Sequence, residues 1–287
     1  MSARERWLQV LIYIGTFFIL IIFFSLLYRR LTQTTYIGPT DGQSKENLDK
    51  DGIILLPEFV TNDDIIQIKE LINENKIKDV QKYIISSPTI QNKTTGLLGG
   101  DYDFHDYIFL IKRSQFHTCH RDYNGDFFNE NQQYPSYTII IYLEDMEKCL
   151  DVIPKSHLVH QEYNMNLTDH TQTVFCKAGD AILFNANLIH NGSLNDNENN
   201  MRVQMKISHK TDHEVLHFYN KYHKVLNSEN ETPTVFKHAQ KHISCQFPIL
   251  GEYMKQYDNN KTSDLTPTND PAARFFSSFF AKLETAE

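Results

Sequence analysis

An uncharged run covers residues 7–28, near the start of the chain, between Arg6 and Arg29. At about 1.5 Å of rise per residue, a helix of this length spans about 33 Å, which covers a hydrocarbon core of about 30 Å. Trp7 and Tyr28 stand at the two ends, where amphipathic rings favour the membrane interface. No small-residue cleavage site follows the run. The sequence therefore predicts an uncleaved, single-pass transmembrane anchor.

The orientation of that anchor is left open by the flanking charges. Arg4 and Arg6 precede the run, and Arg29 and Arg30 follow it, so the positive-inside rule does not distinguish the two directions. Five Asn-x-Ser/Thr sequons occur in this Asn-rich chain, at Asn92, Asn166, Asn191, Asn230 and Asn260.

Charge and cysteine usage narrow the class of protein. The 287 residues carry a formal net charge of -8, and this acidic balance argues against a nucleic-acid partner, which calls for a basic surface. The four cysteines, Cys119, Cys149, Cys176 and Cys245, form no CxxC pair, so a zinc knuckle is not indicated. We interpret all four as free thiols, because a domain of this size does not need disulfides.

The chain divides into five segments. We expect a short tail at 1–6, the anchor at 7–28, a polar linker at 29–48, one domain at 49–225 and a helical or irregular extension at 226–287. Within that extension, Asp270 and Pro271 are typical of a helix start, and an apolar stripe follows.

A strand and a helix are predicted at the start of the domain, followed by a β-rich region. The apolar run 53–56 ends at Pro57, and Thr61 with Asp64 has the S/T-x-x-D form that opens helices. Short β-rich runs then occupy 107–111, 137–143, 181–185 and 201–208, separated by turns, and such spacing favours a sandwich or barrel.

His120 and Asp122 form the only His-x-Asp in the chain. On a strand these two side chains share a face, because side chains alternate with period two. Two histidines and one carboxylate on one side of iron(II) leave open positions for a co-substrate and oxygen. His190, which follows the run 181–185 by a short link, is the candidate second histidine.

Arg202 lies on a run in which the two faces separate cleanly. Met201, Val203, Met205 and Ile207 form one face, and Arg202, Gln204, Lys206 and Ser208 form the other. A cation on an inner face needs an anionic partner, because an unpaired buried charge is costly. A guanidinium matches a carboxylate through two parallel hydrogen bonds, so a dicarboxylate co-substrate would supply that partner.

Together these segments resemble the phytanoyl-CoA dioxygenase family over residues 49–210. The similar segments are the stretch 51–61, the His120-Arg-Asp122 motif, the turn at 152–157 and the Gly-Asp…His…Arg run that closes the domain. Lys155 stands where the family usually has Gly, and Cys149 with its neighbours replaces the usual Asn-Gly before that turn. The resemblance implies a mainly β fold with flanking α-helices, a double-stranded β-helix or jelly roll.

The resemblance also implies the chemistry. Iron(II) would be held by His120, Asp122 and His190, with 2-oxoglutarate and O2 as co-substrates, and a substrate would be hydroxylated with release of succinate and CO2. Arg202 would bind the far carboxylate of 2-oxoglutarate. Further candidates around the cofactor are Gln204, Thr138, Lys112 and Tyr107, while His117 and His157 are candidates for lining the pocket.

Three functions stay open at this point. The first is a dioxygenase acting on a small molecule, a lipid or a protein side chain. The second is a prolyl- or lysyl-hydroxylase-like enzyme; those families usually place Lys where Arg202 stands, and Lys206 lies four residues later on the same face. The third is a non-catalytic jelly-roll binding protein. Glycosylation at Asn191 would crowd His190, which favours the cytosolic side of the membrane.

Overall fold

The computed structural model describes residues 3–32, 34–36, 43–113, 118–122, 124–159, 171–193, 200–227 and 234–246. Helices occupy the start of the chain, the stretch before the β-rich region and the last described segment. They are α1 Ala3–Thr32, α2 Lys45–Asp51, α3 Asn62–Asn73, α4 Ile77–Ser86, α5 Pro88–Leu98 and α6 Thr234–Gln246.

The strands form two sheets. They are β1 Thr34–Thr35, β2 Ile53–Leu56, β3 Tyr102–Phe104, β4 Tyr107–Arg113, β5 Tyr137–Tyr142, β6 Met146–Val152, β7 Gln172–Cys176, β8 Ala181–Asn185, β9 His190–Gly192, β10 Arg202–His209 and β11 Tyr222–Asn227. The larger sheet has the order β11-β4-β10-β5-β8-β2, with β3 pairing beside β4 on β10. The smaller sheet has the order β1-β7-β6-β9.

The four β-rich runs expected from the sequence are β4, β5, β8 and β10, with ends that differ by two residues at most. The predicted helix start is also confirmed. The Thr61 hydroxyl accepts from the Asp64 N–H, and the Asp64 carboxylate accepts from the Thr61 N–H, which forms a capping box at the start of α3.

The two faces of the larger sheet bury different clusters. The outer face packs against α2–α5 and includes Val203, Met205 and Ile207. The inner face contributes Ile140, Tyr142 and other apolar residues to a core shared with the smaller sheet. The mainly β architecture with flanking helices is therefore confirmed, and its two facing sheets are consistent with a jelly roll.

Two elements lie inside the stretch that the sequence suggests to be a linker. β1 pairs in parallel with β7, and α2 begins at residue 45, where the Ser44 hydroxyl accepts from the Asn47 N–H. Polar composition hid this helix because its buried side contains only Asn47 and Leu48. The ordered domain therefore starts before residue 49.

The prediction of a transmembrane helix over residues 7–28 is not confirmed. α1 covers these residues and exposes many large apolar side chains, Trp7, Phe17 and Phe24 among them. Among the residues described, however, no helix reaches both the length and the hydropathy that crossing a membrane requires.

The interpretation of all four cysteines as thiols is wrong for two of them. Cys119 and Cys245 form a disulfide, while Cys149 and Cys176 are buried thiols. The partners are separated by 126 residues, so only the docking of α6 beside the 118–122 segment brings them together. The helix predicted after Pro271 lies outside the described residues.

Candidate metal centre

The backbone brings the two histidines of the predicted triad together. The His120 N–H donates to the His190 carbonyl at 2.9 Å, and the His190 N–H donates to the His120 carbonyl at 3.0 Å. Two residues on, the Asp122 N–H donates to the Ala186 carbonyl at 2.8 Å. These bonds fasten the 118–122 segment to the turn between β8 and β9, so the three side chains converge by backbone pairing.

The side chains of His120, Asp122 and His190 form a compact, buried cluster. The Nε2 atoms of His120 and His190 lie 3.7 and 3.8 Å from Asp122 Oδ1. The three potential ligand atoms all lie within 4.8 Å of one another, and each residue is less than 9% exposed. One metal ion could therefore contact all three atoms.

Both imidazoles are oriented by the backbone. His120 Nδ1 lies 3.0 Å from the Thr118 carbonyl, and His190 Nδ1 lies 2.9 Å from the Leu188 carbonyl. A carbonyl oxygen can only accept, so both Nδ1 atoms carry a hydrogen, which leaves Nε2 with a lone pair in the neutral ring. This is the tautomer that binds a metal through Nε2.

Asp122 is surrounded by donors. Burial acts to raise the pKa of its carboxyl, but the charge of the Lys206 ammonium leads the effects that outweigh burial and hold that pKa well below its usual range. Lys206 Nζ lies 2.6 Å from Asp122 Oδ2, and the Thr138 hydroxyl donates to the same oxygen at 2.6 Å. The aspartate is therefore a carboxylate at neutral pH.

Arg202 points into the space between the sheets, as predicted from the alternation. It is 5% exposed and donates to the Asn200 carbonyl at 2.9 Å, and no described carboxylate pairs with it. Burial lowers the pKa of its guanidinium. Tyr142 stands directly opposite on β5, and its buried hydroxyl has no hydrogen-bond partner among the described residues.

The remaining cofactor candidates have different environments. Thr138 contacts the metal cluster through Asp122, and Tyr107 is buried beside it with its ring 5.7 Å from Lys206 Nζ. Gln204 lies on β10 between Arg202 and Lys206 and is half-buried. Lys112 is half-buried on β4 and makes no hydrogen bond to the triad within the described part of the chain.

Two supporting residues were missed by the sequence argument. The buried Arg121 guanidinium donates to the carbonyls of Ser156, Val159 and Asn187, and so fills the space behind the His-x-Asp motif. The Ser156 hydroxyl accepts from the Ile189 N–H at 2.8 Å, next to His190. The middle residue of His-x-Asp carried no signal of this role, because its partners are backbone carbonyls distant in sequence.

The turn around Lys155 keeps a left-handed backbone despite the lysine. Lys155 has a φ of 67°, in the region where glycine is favoured. His157 donates from Nε2 to the Asp49 carbonyl at 2.8 Å and packs on Gly52, so it supports α2 rather than the triad. His117 lies outside the described residues.

The residues present suit iron(II) and 2-oxoglutarate. Two neutral imidazoles and one carboxylate on one side of a cation are the donor set of non-haem iron(II) oxygenases. Within the described part of the chain, the Arg202 guanidinium has no carboxylate partner and the Tyr142 hydroxyl has no hydrogen-bond partner, so both are complementary to a second carboxylate. Both features open onto the core between the two sheets.

The two-sheet fold and this cluster define the class of non-haem iron oxygenases. A sequence model described as phytanoyl-CoA dioxygenase (PhyH) matches residues 45–203, more than half of the chain, so the protein belongs to that family. It is an enzyme of the iron(II)- and 2-oxoglutarate-dependent oxygenase type, and its co-substrates are 2-oxoglutarate and O2.

Three solved structures illustrate the similarity of the fold. The non-haem alpha-ketoglutarate-dependent epimerase SnoN from nogalamycin biosynthesis is 14% identical, with a TM-score of 0.47 over 57% of this chain and 79% of that chain. EvdO2 from Micromonospora carbonacea var. aurantiaca, complexed with 2-oxoglutarate, is 12% identical, with a TM-score of 0.45 over 61% and 92%. HygX from Streptomyces hygroscopicus, with iron bound, is 13% identical, with a TM-score of 0.43 over 60% and 87%. The search of curated proteins gave no match.

Proposed function

We infer that the protein hydroxylates an organic substrate, with iron(II) held by His120, Asp122 and His190. The observation that carries this proposal is the convergence of three buried ligand atoms within 4.8 Å of one another. When bound, iron(II) and 2-oxoglutarate would activate O2, which is the oxidant: one oxygen atom would enter a C–H bond of the substrate and the other would enter succinate, with release of CO2. The protein supplies orientation, charge and exclusion of water.

The chain contributes preorganised ligands. The Thr118 and Leu188 carbonyls hold the imidazoles in the Nε2-accepting tautomer, so no proton has to leave either ring before a metal binds. Asp122 is already a carboxylate, because Lys206 outweighs the effect of burial. Apolar neighbours limit water at the centre, among them Phe184, whose ring lies 4.4 Å from that of His190.

Arg202 and Tyr142 are proposed to bind the distal carboxylate of 2-oxoglutarate. They face each other across β10 and β5, four residue pairs along the ladder from Lys206 and Thr138. A carboxylate placed there would satisfy both the buried guanidinium and the buried hydroxyl, each costly to leave without a partner. Gln204 lies between the two levels and is placed to contact the co-substrate chain.

We propose a small organic molecule as the substrate. The prolyl- or lysyl-hydroxylase-like alternative is less well supported, because the lysine that binds 2-oxoglutarate in such an enzyme would have to be Lys206. That side chain is already paired with Asp122 at 2.6 Å, whereas Arg202 has no described carboxylate partner. A non-catalytic jelly roll would have no use for two buried imidazoles held in a metal-binding tautomer.

Anaerobic addition of iron(II) and 2-oxoglutarate tests the proposal. We expect a weak visible charge-transfer band, and succinate formation once air is admitted. His120→Ala and Asp122→Ala should abolish both signals, and His217→Ala should leave them unchanged, because His217 is exposed on a surface turn. A folded wild-type protein that shows neither the band nor a rise in melting temperature would contradict the assignment.

We propose separately that α1 attaches the protein to a membrane from an oxidising compartment. Support comes from the uncharged run 7–28, from the exposed apolar side chains of α1, and from the Cys119–Cys245 disulfide, a bond typical of such compartments. Asn191 does not argue for the cytosolic side, because it is fully buried and so inaccessible as a glycosylation site in the folded domain.

Membrane fractionation tests this second proposal. The full chain should sediment with membranes and resist alkaline carbonate extraction. Ile14→Arg combined with Phe18→Arg should release it, because charged side chains near the centre of a bilayer are costly. Full-length protein that remains in the supernatant would contradict membrane attachment and would leave the iron chemistry untouched.

A further inference from the structure

The two oxygens of the Asp122 carboxylate have different surroundings. Oδ1 faces the two imidazoles, at 3.7 Å from His120 Nε2 and 3.8 Å from His190 Nε2. Oδ2 receives two short hydrogen bonds, one from Lys206 Nζ and one from the Thr138 hydroxyl, both at 2.6 Å. A carboxylate oxygen offers about two lone-pair sites. Oδ2 is therefore fully used by the protein, and Oδ1 is directed to the metal position.

Lys206 is held in place by its surroundings. It stands opposite Thr138 across β10 and β5, and its ammonium also donates to the Thr138 hydroxyl at 2.8 Å. The rings of Tyr107 and Tyr219 lie 5.7 Å from Nζ, within the range of cation–π attraction. The side chain is only 3% exposed, so water does not compete for the ammonium.

We propose that Lys206, together with Thr138, restricts Asp122 to binding iron through a single oxygen, Oδ1. This inference rests on the proposed function. A carboxylate can bind a cation through one oxygen or through both. Binding through both would use one more position on the metal, and the oxygenase needs its open positions for 2-oxoglutarate and O2. Lys206 is thus a positioning residue that keeps a position open.

The same geometry separates the roles of the two cations on the inner face of β10. Arg202 has no described carboxylate partner and suits the distal end of the co-substrate. Lys206 is paired with a ligand carboxylate and suits control of the metal. The two cations lie four residues apart on one face. Substitution of Arg202 should therefore affect the binding of 2-oxoglutarate alone, whereas substitution of Lys206 should also alter the metal site.

Lys206→Met removes the ammonium while keeping much of the side-chain length. We expect its dissociation constant for 2-oxoglutarate to rise on the order of 10-fold or more, by analogy with the loss of about 10–100-fold in metal affinity or activity when a residue that orients a metal ligand is removed. The visible absorption of bound cobalt(II), which reports the number and kind of donor atoms, should also change, and this readout requires no turnover and no 2-oxoglutarate. Thr138→Val should move both readouts in the same direction by less, and Thr138→Ser should restore wild-type behaviour.

Lys241→Met is the matched control. Lys241 forms a buried ion pair with Asp151 on the smaller sheet, so its removal destabilises the fold through the same kind of interaction. It should leave both the cobalt(II) spectrum and the 2-oxoglutarate affinity unchanged. If Lys241→Met alters them as much as Lys206→Met does, the effect is general destabilisation and the inference is overturned.

The remaining outcomes separate the two proposals. A folded Lys206→Met protein with a wild-type cobalt(II) spectrum and wild-type 2-oxoglutarate affinity overturns the role of Lys206 alone. If the wild-type protein binds neither iron(II) nor cobalt(II), the proposed function is overturned, and this inference is overturned with it. Should Lys206→Met fail to fold, the Thr138→Val and Thr138→Ser pair decides the question on the same two readouts.

Discussion

Cys119, the residue before His120, is joined by a disulfide to Cys245 on α6. The Cys119 N–H also donates to the Ser244 hydroxyl at 2.7 Å, and Lys241, one turn earlier on α6, pairs with Asp151 on β6. The last described helix is thus fastened both to the segment that carries His120 and to β6 of the smaller sheet.

Reduction of this disulfide should destabilise the domain. The bond closes a loop of 126 residues, and removing such a cross-link costs about 2–5 kcal/mol by restoring the freedom of the unfolded chain. Denaturant unfolding with and without a reductant measures the change. Cys245→Ser should lose the same free energy of unfolding and should not respond further to reductant. Equal stability of wild type and Cys245→Ser, each with and without reductant, would contradict the prediction.

Substitutions at the predicted carboxylate site should affect 2-oxoglutarate and not the metal. Arg202→Met removes a buried charged partner, so we expect a loss of about 2 kcal/mol or more, a dissociation constant at least about 30-fold higher. Tyr142→Phe removes one hydrogen bond and should cost about 1 kcal/mol. Calorimetric titration measures both, and a fall in iron(II) affinity without any change for 2-oxoglutarate would reverse the assignment.

Stability should fall in mild acid because of His105. Its buried ring contacts the Ser208 hydroxyl at 2.6 Å, and burial lowers its pKa to about 4, from 6.5 in the unfolded chain. The unfolded chain therefore takes up the proton first, and as the pH drops from 6.5 to 4 the free energy of unfolding should decrease by about 3 kcal/mol. His105→Gln should flatten this dependence, whereas His217→Gln should not. Parallel profiles for wild type and His105→Gln would exclude His105 as the source.

Glycine at position 155 should stabilise the protein. Lys155 has a φ of 67°, which costs a residue with a Cβ atom about 1 kcal/mol, and its N–H bond to the Asp51 carbonyl does not depend on the side chain. Lys155→Gly should raise the free energy of unfolding by about that amount, and Lys155→Ala, which keeps the Cβ, should have little effect. Equal values for the two variants would show that backbone strain at this turn is negligible.

The local sequence pattern predicted the structure correctly wherever a side chain's position depends only on neighbouring residues in the same strand or turn. The alternation along β10 placed Arg202 inside and Val203 outside, and the Thr61–Asp64 spacing marked the start of α3. Both follow from periodicity within a few residues of chain. The polar segment before residue 49 was interpreted as a linker because α2 gives no clear apolar periodicity. Its buried residues are only Asn47 and Leu48.

The sequence by itself determined the residue types of the iron site, their order and the inward direction of Arg202, because spacing along a strand sets which side chains share a face. Tertiary structure alone decided that Cys119 meets Cys245, that Arg121 and Ser156 hold the site from behind, and that Lys206 binds Asp122 while Arg202 stays open for a carboxylate. Each of these pairs joins residues 30 or more positions apart, and no local periodicity reports such a distance. Only the pairing of the sheets and the docking of α6 bring them within bonding range.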